Sequence, residues 1–154
     1  MTLDTTKPND QELVSDLPSF IREDRAAINA IVGSNSFGYT DLDIAVGTTT
    51  LVVGTDLGAN GLEVIKVTGL GLADISAITG GSEGQIKVLI FQDTNINIVD
   101  GNARAGGVFY LNHLPVLSNF EPDQDDILAV VNIGGDGAAT PGYWKELFRT
   151  ISVK

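Results

Sequence analysis

Past Gly33 the sequence never stays apolar for long. It breaks into short stretches rich in Val, Ile, Thr and aromatic residues, most of them closed by glycine or an Asp-Gly pair. That punctuation constrains the fold more than any other feature, because strand-length runs separated by turn residues build sheets. The runs that qualify are 42–46, 48–53, 62–68, 85–92, 95–99, 108–111, 127–133 and 143–153. Gly47, Gly54, Gly58, Gly61, Asp100-Gly101 and Gly134-Gly135-Asp136-Gly137 supply the turns between them. Partial alternation in Glu63-Val64-Ile65-Lys66-Val67 and Ile86-Lys87-Val88-Leu89-Ile90 gives each of these strands one buried face. Short strands at such spacing predict an antiparallel β-sandwich of jelly-roll type over 34–154. No repeat of fixed period is visible.

Residues 1–33 follow a different period. A polar leader, 1–9, precedes a helix over 17–32, with Ser15 or Asp16 able to cap it and Pro18 in its first turn. Leu17, Phe20, Ile21, Ile28 and Ile31 recur at steps of three and four and form one apolar stripe. Gly33 stops the helix. So short a helix is marginal alone in water, and its stripe must dock on the β-domain or on copies of itself. The narrow stripe with charged flanks favours self-association, which makes those five residues the candidate oligomer interface. Residues 1–33 thus form a leader and an oligomerisation or anchoring helix.

Charge and composition exclude several classes of function. The formal net charge is −11, and no Lys/Arg cluster exists. Binding a polyanion needs such a cluster, so nucleic acid and anionic membrane surfaces are not expected partners. The absence of cysteine removes disulfide scaffolds, thiolate metal sites and thiol nucleophiles. No signal peptide is expected at the N-terminus, and no apolar stretch approaches the ~20 residues of a membrane span. Hydrophobic residues make up 43% of the 154, enough to bury a core.

A search for chemistry assigns no catalytic residue, no cofactor and no metal. His113 is the single histidine and sits in an apolar loop edge, Leu111-Asn112-His113-Leu114-Pro115. Thr68-Gly69-Leu70-Gly71 lacks the third glycine and the following helix of a dinucleotide loop. Asp93-Thr94-Asn95-Ile96-Asn97 opens like a calcium loop, but Ile98 stands where glycine is required and Arg104 where glutamate is. Asp123-Gln124-Asp125-Asp126 is the densest acidic cluster and reads as a solvated loop, with a hard cation as the alternative. Paired carboxylates for glycoside hydrolysis cannot be chosen from spacing along the chain. Tyr110, Tyr143 and Trp144 are the weak candidates for contact with a glycan. Because neighbours in a strand face opposite ways, one of Tyr143 and Trp144 belongs to the core.

Several segments also carry a resemblance. Thr6-Lys7-Pro8-Asn9-Asp10, then Leu17-Pro18-Ser19-Phe20-Ile21-Arg22-Glu23 and Ala26-Ala27-Ile28-Asn29, resemble the N-terminal segment of short phage tail-fibre and appendage proteins. Ile78-Thr79-Gly80-Gly81-Ser82-Glu83-Gly84-Gln85-Ile86, Asp125-Asp126-Ile127-Leu128-Ala129-Val130 and Gly142-Tyr143-Trp144-Lys145-Glu146-Leu147-Phe148-Arg149 are similar to a β-rich module of bacteriophage fibres and tailspikes. There the pattern runs G-x-x-G-x-I, D-x-L-x-L, G-x-W-x-E. The resemblance implies a non-enzymatic virion structural protein, a homotrimer on the virion surface, made in the host cytoplasm. Its expected partners are copies of itself, other capsid or tail proteins, and a host surface glycan as a further candidate. A single short domain points to a tail fibre or spike, or to capsid decoration. A glycan-binding receptor-recognition module is the alternative.

Overall fold

The computed structural model describes residues 39–101, 103–112, 119–137 and 139–150, all of them within one compact unit, Tyr39–Lys154. The expected helix over 17–32, with Leu17, Phe20, Ile21, Ile28 and Ile31, lies outside the described residues. So do the 33/34 boundary, His113 and the end of the last strand run, 151–153.

The described chain is mainly β. Its strands are β1 (Thr40–Ile44), β2 (Thr50–Val52), β3 (Leu62–Gly69), β4 (Ala73–Ile75), β5 (Ala77–Thr79), β6 (Ile86–Phe91), β7 (Ile96–Ile98), β8 (Phe109–Tyr110), β9 (Ile127–Ile133) and β10 (Tyr143–Arg149). Each of the eight runs read from the sequence overlaps one of them. β4 and β5 were not expected.

The pairing corrects the antiparallel expectation. β1, β3 and β6 stack side by side in parallel, as do β2 with β5 and β4 with β7. Parallel neighbours need a long crossover between them, and here the crossovers are themselves made of strands. The chain therefore winds as a coil: Leu42, Val67 and Phe91 fall in one column, Leu51 and Ile78 in another, Ile75 and Ile98 in a third. Glycines read as hairpin turns bend the corners of that coil; Gly47, at φ 74, follows β1, and its N–H donates to the Leu72 carbonyl of the next turn, 3.0 Å away. The antiparallel element comes later. β9 runs back along β6, and β10 along β9, with a bulge between Glu146 and Phe148. β8 closes the sheet in parallel with β10. The six-stranded order is β1-β3-β6-β9-β10-β8.

One core fills the coil. Ile65, Val67, Leu89, Phe91, Leu128 and Val130 enter it from the large sheet. Phe120 meets the Phe91 ring edge-on, centroids 5.7 Å apart.

Candidate assembly and contact surfaces

Gly81, Gly84, Gly142 and Trp144 gather around Asn132, and each motif residue has a local task. Trp144 is fully buried, and its indole N–H donates to the Ile78 carbonyl at 2.9 Å. Gly81 makes room for it: a Cβ there would sit 2.6 Å from the indole ring. Gly84 takes φ 82 to turn the chain into β6, and its N–H donates to the Asn132 carbonyl. Gly142 takes φ 64, and a Cβ on it would lie 2.4 Å from the Ile133 carbonyl oxygen. Asp126 accepts the Asp123 N–H at 2.9 Å, which makes 123–126 a closed turn feeding β9. Glu146 accepts the Asn112 N–H at 2.7 Å and holds Arg149 through both carboxylate oxygens.

Trp144 therefore leaves the glycan-contact set, because a ring inside the core offers no face to a sugar. Tyr110 and Tyr143 remain at the surface, partly buried, and pack edge to face at 6.1 Å between centroids. The Lys145 ammonium lies 4.5 Å over the Tyr110 ring and the Arg104 guanidinium 5.5 Å over it. Lys145 also donates to the Asn112 side chain. This is an aromatic and cationic spot suited to a flat, electron-rich or anionic group.

A groove of about 630 Å³ opens elsewhere, lined among others by Thr49, Asp74, Asn97, Glu121 and Asp123. The Asn97 amide nitrogen donates to Asp74 at 3.0 Å, which fixes the amide's orientation and leaves its buried oxygen without a partner among the described residues. The groove thus presents acceptors. Its carboxylates do not converge: among the described residues no group of three or more His, Cys, Asp or Glu is placed to hold a metal ion.

The most extensive feature is the outward face of the large sheet. The burial pattern alternates along β3 and β6, and the residues turned away from the core are Leu62, Val64, Lys66 and Thr68 on β3 and Ile86, Val88 and Ile90 on β6. β9 adds Val131 and Ile133. Register joins them into rows, Val64 beside Val88 beside Ala129, and Ile86 beside Val131 beside Lys145 beside Tyr110. Ala129 is fully buried between its neighbours, and the Val and Ile residues of this face are partly buried. Leu62 and Phe148, at the margins, are more than half exposed.

The inward face holds a buried charge. Lys87, on β6 between Ile86 and Val88, points inward and is fully buried. Its ammonium donates to the Gly58 carbonyl at 2.6 Å, the Asn60 carbonyl at 3.2 Å and the Glu63 carboxylate at 2.8 Å. Glu63 in turn accepts the Gly58 N–H at 3.0 Å. A sequence reading that turns lysine outward misses this; the glycine-rich loop 58–61, rich in carbonyls, was the available signal.

No described helix is long and apolar enough to cross a membrane. Set against known proteins, the chain matches no family model, no curated protein and no solved structure.

Proposed function

We propose that this chain is a non-enzymatic structural protein that assembles with copies of itself, as the homotrimeric surface appendage or decoration of a phage virion. The observation that carries the self-assembling part is the apolar outward face of the six-stranded sheet. Contiguous apolar faces of this kind mark interaction surfaces in soluble proteins. The motif residues add support, since Gly81, Gly84, Asp126, Gly142, Trp144 and Glu146 all serve the fold. The virion assignment rests on the resemblance of those same segments to fibre and tailspike modules, and it implies capsid or tail proteins as further partners. Light scattering on the purified chain tests the assembly: the mass of three copies is expected, and a monomer at tens of micromolar overturns it. Cryo-microscopy of an intact particle tests the location.

A glycan-binding role is the second reading, and the Tyr110–Tyr143 pair beneath Lys145 and Arg104 favours it. A glycan array with Tyr110→Ala as control decides this reading. Binding lost in the variant supports it, and no binding by the parent protein removes it.

A further inference from the structure

Resting on the self-assembling reading above, we infer that the outward face of the large sheet is the subunit contact. Other copies of this chain cover it, and the acidic β1 edge of one copy lies against the basic β8–β10 edge of the next.

The first argument is the inversion of β6. Its one charged residue, Lys87, enters the core, while Ile86, Val88 and Ile90 face out. A strand whose outer face met only water would gain by keeping its lysine there. At ~4.8 Å between strands and ~3.3 Å per residue, β3, β6, β9 and β10 present roughly 400 Å² of projected face, in which Val and Ile positions outnumber Lys66, Thr68 and Lys145. The second argument is charge. β1 ends the sheet on one side with Asp41 and Asp43 exposed. Register sets Asp41 beside Lys66, and Asp43 beside uncharged Thr68. On the other side Lys145 and Arg104 gather over Tyr110. A partner of a single charge sign fits one of these edges and is repelled by the other. A second copy fits both at once, because it brings a basic edge to the acidic one and an acidic edge to the basic one. At a net charge of −11 copies repel at long range, so a local pairing of opposite edges is what turns the face attractive.

The test uses the full chain and reads its mass in solution beside its β-signal in circular dichroism. Val88→Asp is expected to reduce the assembly to monomer with the β-signal kept. Asp41→Lys with Asp43→Lys is expected to weaken assembly at least tenfold, although it brings the net charge nearer zero and should favour association on general grounds. Adding Arg104→Glu and Lys145→Glu to that variant is expected to restore it, because both edges are then reversed. These four side chains lie at the surface, so the edge exchange decides the matter even if Val88→Asp fails to fold. A wild-type oligomer whose mass neither the Val88 change nor the edge reversal alters overturns the contact and leaves self-assembly standing. A monomeric wild type overturns both.

Discussion

The two faces of the six-stranded sheet differ in how they hold their polar residues. The inward face holds Glu63, Lys87, Asn132 and Glu146 among its aliphatic and aromatic residues, all buried. The outward face carries Val and Ile on β6 and β9, and Lys66, Thr68 and Lys145 on β3 and β10, none of them held in a buried polar network among the described residues. Burial of a charge is tolerated where every donor and acceptor finds a partner, and the inward side meets that condition. Lys87 has three oxygens around it, and the Asn132 side chain donates to Pro141 and accepts from Gly135. Polar satisfaction is what lets these few polar side chains share the inward face with the aliphatic and aromatic core.

That contrast can be attacked from its strongest point downward. Trp144→Ala should cost about 3–5 kcal/mol, a large part of the ~5–15 kcal/mol available to a domain, and should also orphan the Ile78 carbonyl. Urea unfolding of the variant reads it, and a melt like wild type would place Trp144 outside the core. Lys87→Ala leaves Glu63 buried without its cation and should cost roughly 3–5 kcal/mol, whereas replacing both by apolar residues of similar volume should recover most of the loss. If the single and the double variant unfold alike, the pair does not hold the 58–60 loop. Tyr143→Ala breaks an edge-to-face contact at the sheet margin, worth about 0.5–1.5 kcal/mol beyond the area lost. The smallest effect belongs to Val88→Thr, which should stay within about 0.5–1 kcal/mol in the fold of a single chain. A loss as large as that of Trp144→Ala would mean Val88 is covered within its own chain.

Much of the strand content was legible, because glycine punctuation and β-branched runs are local signals. β3, β6 and β9 coincide closely with the runs 62–68, 85–92 and 127–133. The short strands Ala73–Ile75 and Ala77–Thr79 were not legible: three-residue runs built around small residues carry no period, and Ser76 interrupts them. The parallel coil escaped for a related reason. Positions stacked in one column hold unlike residues, such as Thr40 beside Ile65 beside Leu89, so self-similarity along the sequence is low. Trp144 was the legible part of the candidate site. Alternation required one of Tyr143 and Trp144 to be core, and the packing chose the larger ring because Gly81 leaves space for it. The direction of Lys87 was illegible, since its partners Gly58 and Asn60 come from a loop 29 and 27 residues away.

The place of β10 in the sheet has a kinetic consequence. β8 has β10 as its sheet neighbour, and β10 lies between β9 and β8 although it is the last strand in the chain. The Trp144 indole reaches back 66 residues to Ile78. The coil strands β1 to β7 can pair in the order in which they leave the ribosome, but the seam closes only when Tyr143–Arg149 has emerged. Pairings of such sequence separation are slow to form. A nascent chain halted just before β10 would hold Phe109 and Ile78 against an unfilled space with a strand edge open beside them, the kind of intermediate that aggregates.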